Sequence, residues 1–127
     1  MSNLKSVKPT ESELEILQIL WKREQATVRE VHEELSQYKE SGYTTTLKLM
    51  QIMFEKGIVV RDDSAKTHIY RPNISRDNTQ KQLLGKMVNS LFEGSTSQLV
   101  MQALGSTPPS REELDEIQQL LDNLKKQ

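Results

Sequence analysis

Apolar residues recur at helical spacing in three short segments early in the chain, and the period then switches to that of strands. In PTESELEILQILWK, Leu14, Leu17, Leu20 and Trp21 fall on one face of a helix. Thr10 stands before them with Glu13 three residues on. That is a capping box, in which hydroxyl and carboxylate each satisfy an orphan N–H group of the helix start. ATVREVHEEL repeats the device: Thr27 and Glu30 cap, and Val28, Val31 and Leu35 form the apolar stripe. QYKESG breaks this short helix, with Gly42 as the turn residue. A third helix is predicted from about Thr44 to Lys56, with Leu47, Met50 and Phe54 inward and Gly57 stopping it. IVVRDDSAKTHIYRP then holds two β-rich runs, residues 58–61 and 67–71, around a polar turn, which reads as a two-stranded hairpin. Three short helices followed by one hairpin is the plan of a winged helix-turn-helix.

Beyond Pro72 the period is helical again. SRDNTQKQLLGKMVNSLFEG carries Leu83, Leu84, Met87, Val88, Leu91 and Phe92 and is ended by Gly94. STSQLVMQALG, with Leu99, is a shorter helix that a glycine again closes. SREELDEIQQLLDNLKK opens with a third capping box, Ser110 with Glu113, and Leu114, Ile117, Leu121 and Leu124 follow at heptad spacing. Two heptads are too few for a self-sufficient coiled coil, and three amphipathic helices have little else to bury them. The sequence therefore predicts a mainly α protein: a winged-helix domain over residues 1–72 and a helical dimerisation domain over residues 73–127. The expected dimer contacts are Leu84, Met87, Val88, Leu91, Leu99, Leu114, Ile117, Leu121 and Leu124. The polar side of the last helix is acidic rather than basic, which favours a protein partner over a membrane surface.

Thr44, Thr45 and Thr46 open the third helix although threonine is a mediocre helix-interior residue. Two readings stand. Thr44 caps and the others are solvated, or the hydroxyls meet DNA. The second helix of a helix-turn-helix enters the major groove, and the residues at its start meet base edges and phosphates. Hydroxyls bond phosphate oxygens and several base edges, the threonine methyl suits the thymine methyl, and the helix start itself favours phosphate. Lys48 follows one turn along, Lys66 sits near the hairpin tip, and Arg61 and Arg71 lie along its strands. The expected DNA contacts are Thr27, Arg29, Tyr43, Thr44, Thr45, Thr46, Lys48, Arg61, Lys66 and His68.

Charge limits the grip of one copy. Lys39, Lys48, Lys56, Arg61, Lys66 and Arg71 stand against Glu40, Glu55, Asp62 and Asp63, a net of +2. Two subunits on two half-sites would double the phosphate contacts. The whole chain has 127 residues and a formal charge of −1, which argues against a nonspecific polybasic binder but not against a site-specific one. Aromatic residues make up only 5%, too few for a base-stacking platform. There is no cysteine, so disulfides and thiolate metal sites are excluded. His32 and His68 show no metal-binding spacing, and no nucleophile elbow or phosphate-cradling glycine loop occurs. His32 reads as a helix-surface residue, and His68 as packing on the wing or touching phosphate. Neither an enzyme nor a cofactor is expected. No apolar run approaches membrane-spanning length and no charged-then-apolar leader opens the chain, so a cytoplasmic protein with no membrane partner is expected. A winged helix used for protein–protein assembly is the competing reading.

TESELEILQILWK, YTTTLKLMQIMFEKGIVVRD and HIYRP, with the tail SREELDEIQQLLDNLKK, resemble the BlaI/MecI penicillinase-repressor family over residues 11–124. The YTT block beside the RD…HIYRP hairpin is the most specific part. The resemblance implies a winged-helix DNA-binding domain, a C-terminal helical dimerisation domain, and repression by dimers on palindromic operator DNA. By it, Thr44, Thr45, Thr46 and Lys48 match the start of the recognition helix, and residues 58–71 match the wing. Two departures stand out. Many relatives carry an arginine late in the recognition helix where this chain has Ile52. Antibiotic-responsive members are inactivated by a protease at an Asn-Phe bond, and the matching pair here is Gln102-Ala103, so a protease partner stays open. Copper-responsive relatives use cysteines, which this chain lacks.

Overall fold

The structure, a computed structural model, describes residues 8–127. Its elements run α1 (Glu11–Arg23), α2 (Val28–Leu35), α3 (Tyr43–Lys56), β1 (Val59–Asp62), β2 (Ile69–Pro72), α4 (Arg76–Leu91), α5 (Thr96–Ser106) and α6 (Arg111–Lys125). This is the predicted mainly helical chain with one antiparallel hairpin, and the helix-helix-helix-hairpin order of a winged helix.

Both halves of each predicted capping box are made. At α1 the Thr10 hydroxyl accepts from the Glu13 N–H at 3.2 Å, and the Glu13 carboxylate accepts from the Thr10 N–H at 2.9 Å. The inward face of α1 is centred on Ile16, Leu17, Ile19 and Leu20, so Leu14 and Trp21 lie at its half-buried margins. The Trp21 indole N–H donates to the Ile74 carbonyl at 2.9 Å and pins the chain after the hairpin to α1. Glu13 is 1% exposed, a burial a carboxylate tolerates only when paired. Lys56 supplies the pair, with its ammonium 2.8 and 3.1 Å from the two carboxylate oxygens, so the start of α1 is tied to the end of α3.

Helix α3 begins one residue earlier than predicted, with Gly42 as N-cap. Its buried positions are Thr46, Met50 and Met53, at i, i+4 and i+7. Phe54, predicted inward, is 36% exposed because this stripe has already taken the core side. Gly57 ends the helix at φ 83°, a left-handed conformation that glycine adopts without a Cβ penalty.

In the hairpin Val59 faces Pro72 and Arg61 faces Tyr70. The second strand starts at Ile69 rather than Thr67, which lengthens the loop between the strands. Ala26, between α1 and α2, adds a bridge to β2: its N–H donates to the Tyr70 carbonyl at 3.0 Å and its carbonyl accepts from the Tyr70 N–H at 2.9 Å.

Contacts divide the chain into two compact units that meet inside α4, at Leu83 and Leu84. The buried core, from Ile16 to Tyr70, lies entirely in the first unit. In the second unit neither α5 nor α6 buries a residue. Gly105, predicted to close α5, sits inside it, and the helix runs to Ser106 with Thr107 as its C-cap. Pro108 accounts for this: the residue before a proline is pushed out of the helical region, and Thr107 has φ −134° and ψ 80°.

Candidate nucleic-acid interface

The start of α2, one side of α3 and the hairpin loop surround a cleft of about 380 Å³ within the first unit. Thr27 and Arg29 come from α2, Tyr43, Leu47 and Gln51 from α3, and Lys66, Thr67 and His68 from the loop, over Val28 and Tyr70. Five expected contact residues, Thr27, Arg29, Tyr43, Lys66 and His68, are thus brought together from three separate elements. Two of them are permanent cations at neutral pH, and no carboxylate lines the cleft. Such a concavity attracts anions.

Each wall is held locally. The Thr27 hydroxyl accepts from the Glu30 N–H at 3.2 Å, and the Glu30 carboxylate accepts from the Thr27 N–H at 2.9 Å, so Thr27 first of all starts α2. That backbone hydrogen bond is the main reason the Glu30 carboxyl is held below its usual range, with the Arg23 charge adding to it. Glu34 is held down chiefly by its hydrogen bond from Lys22, and by Arg23. Glu30 and Glu34 of α2 are therefore occupied by the end of α1. Tyr43 is fixed from two sides: the Arg29 guanidinium lies 5.9 Å from its ring centroid, and His32 meets it edge-on at 5.6 Å.

The threonine run resolves residue by residue. Thr44 does not cap, because Gly42 holds that position, and no acidic residue stands in the first turn of α3. Thr44, Thr45 and Lys48 are exposed. Thr46 is not available to a duplex: it is 1% exposed, and its hydroxyl lies 3.2 Å from His32 Nδ1. His32, predicted on the helix surface, is correspondingly half-buried between α2 and α3.

Arg61 lies apart from the cleft. Its guanidinium stacks 4.0 Å from the Phe54 ring centroid and pairs with Asp63 at 3.6 Å. Tyr70 first, and Asp63 after it, hold its proton more tightly than in a free arginine. Asp62 accepts from the Ser64 N–H at 3.0 Å, which keeps its carboxyl below the usual range and closes the turn after β1. Both wing acids are thus engaged within the wing. Gln51 and Thr67 line the cleft but stand outside the predicted set. Gln51 was legible as Tyr43 plus two helical steps of four, whereas Thr67 was assigned to a strand.

The second unit presents apolar surface. Leu84, Met87, Leu91, Leu114, Leu121 and Leu124 are 45–68% exposed, and Val88, Leu99 and Ile117 are half-buried. Gln102 and Ala103 lie within α5. Among the described residues no helix is long and apolar enough to cross a membrane.

The penicillinase repressor family model matches residues 9–123. A penicillinase repressor of Staphylococcus aureus is 24% identical over 122 residues, spanning 96% of this chain and 97% of that one. The transcriptional regulator BlaI of Mycobacterium tuberculosis is 38% identical over 85 residues, spanning 65% of this chain and 58% of that one. Among solved structures, the DNA binding domain of the repressor BlaI matches with a TM-score of 0.52 at 23% identity, covering 61% of this chain and 93% of that one. That likeness carries the fold. The match across residues 9–123, on a winged-helix scaffold, makes this chain a member of the penicillinase repressor family.

Proposed function

We propose that this protein is a DNA-binding transcriptional repressor that grips operator DNA as a homodimer. The observation that carries the reading is the acid-free cleft that collects Arg29, Lys66 and His68 beside α3. In this reading α3 lies in the major groove, with Thr44, Thr45 and Lys48 towards base edges and phosphates. The start of α2 and the hairpin loop straddle it on the sugar-phosphate backbone. Such contacts fix register and orientation, while the bases supply specificity.

The second unit supplies the dimer. Its exposed leucines and Met87 form a surface that a helical layer needs to bury, and a second copy offers the same surface in return. A two-fold symmetric dimer matches a palindromic operator. It also compensates for the small net charge of one DNA-binding unit. A repressor of this kind works in the cytoplasm, where the chromosome is.

The test is an electrophoretic shift on the DNA upstream of the protein's own operon, titrated with protein and with salt. The expected result is a complex with two subunits per site whose affinity falls linearly on a log–log plot of binding against salt. A well-folded dimer that retains neither this DNA nor any fragment of its genome would overturn the reading.

A further inference from the structure

The geometry points to Gln51 as a specificity-determining residue that reads an adenine in the major groove. This inference rests on the repressor reading above. Helix α3 turns Thr46, Met50 and Met53 into the core. Thr44, Lys48, Gln51 and Glu55 fall on the opposite face, at i, i+4, i+7 and i+11, and all are exposed. Glu55 would meet phosphate with like charge, so the part of this face that suits DNA runs from Thr44 to Gln51.

Gln51 closes that stretch on the side of the wing, where it lines the cleft with Lys66 and His68. No hydrogen bond within the described residues engages its carboxamide. Thr27, Thr46 and Arg61 are by contrast already committed to partners inside the chain. The cations of the cleft would seat on the backbone beside the base pair that Gln51 faces.

The base follows from the donor and acceptor inventory. A carboxamide offers one acceptor oxygen and an N–H donor side by side. Adenine alone presents the complement in the major groove, an N6 amino donor next to the N7 acceptor. Guanine offers two acceptors, cytosine only a donor, and thymine only an acceptor beside its methyl group, so each leaves one half of the amide unmatched.

The test is selection of binding sites from a pool of random duplexes by the full-length protein, read by sequencing, for the wild type, Gln51→Ala and Gln51→Glu. The wild type is expected to require adenine at one position of each half-site. Gln51→Ala should lower that preference about 5- to 150-fold and leave the other positions as they were. Gln51→Glu, an acceptor only, should move the same position towards cytosine. A Gln51→Ala protein that selects the wild-type site at every position would overturn the assignment of Gln51 and leave the repressor reading standing, as would a change confined to a position where the wild type selects no adenine. A wild type that enriches no sequence would overturn both.

Discussion

Thr10 and Glu13 at the head of α1, and Ser110 and Glu113 at the head of α6, form the same reciprocal cap with nearly the same distances. From there the two helices part. Helix α1 buries Glu13, Ile16, Leu17, Ile19 and Leu20, whereas α6, with a regular apolar stripe, buries nothing. Local sequence therefore decides that both are helices, and it does so through caps and periodicity. What lies opposite decides whether the stripe becomes a core. In the first unit α2, α3 and the hairpin close over α1. In the second unit nothing closes over the stripe among the described residues, and in the proposed dimer a second copy of the chain would cover it.

The strongest way to break this comparison is to remove volume from each stripe in turn. Leu17→Ala should cost about 2–5 kcal/mol in urea unfolding, since Leu17 is fully buried and its truncation leaves a cavity in the core. The native protein should still sediment as a dimer. Leu121→Asp, at a position 45% exposed, should do the reverse. The dimer should dissociate in sedimentation, while the first unit keeps its fold. A Leu121→Asp protein that sediments as a dimer would assign the second unit another role.

The same contrast recurs on a smaller scale inside the threonine run. Thr46→Val removes a buried hydroxyl and leaves His32 Nδ1 without its partner, so it should lower stability by about 1 kcal/mol. Thr45→Ala should leave melting unchanged and weaken operator binding several-fold. Lys48→Ala should also spare melting, and it should reduce the salt slope by about one per subunit. Wild-type affinity in both would remove the groove face of α3 from the interface.

The smallest effect is electrostatic. Folding lowers the carboxyl pKa of Glu30 and Glu34 below 4.5. A group whose folded pKa is lowered stabilises the fold above its unfolded value and loses that contribution as pH falls through the folded one. Melting temperature should therefore decline as pH falls below about 4.5. Glu34→Gln should shallow that decline, and only slightly, because the Lys22 partner is largely exposed.

The fold was largely legible, because each element carries its own local signal. Capping boxes marked three helix starts, Gly57 marked the end of α3, and the change of period marked the hairpin. The differences at Thr46, Phe54 and His32 share one cause. Thr46 and Phe54 were placed by their neighbours in sequence, and which side of α3 meets the core depends on where α1 and α2 pack. The acidic residues beside His32 suggest a surface position, yet its ring faces α3. Glycine is a common helix stop, which singles out Gly105, but Pro108 sets the stop here. The family was legible from a contiguous block of residues, whereas the cleft was not, since it assembles side chains from three elements. Gln51 shares the face of Tyr43 by helical spacing, but only the loop packed across from it turns that spacing into a cleft position.

The bridge between Ala26 and Tyr70 has a consequence for how the wing moves. It locks β2, at Tyr70, to the connection between α1 and α2 with two further backbone bonds. The amide hydrogens of Ala26 and Tyr70 should therefore exchange on the timescale of whole-unit opening. Those of residues 63–68 should exchange far sooner. The hairpin then behaves as a finger with a clamped knuckle. In the proposed complex its tip would follow the backbones of grooves of different width while α3 stays in place, so how tightly the tip closes and what α3 reads would vary independently.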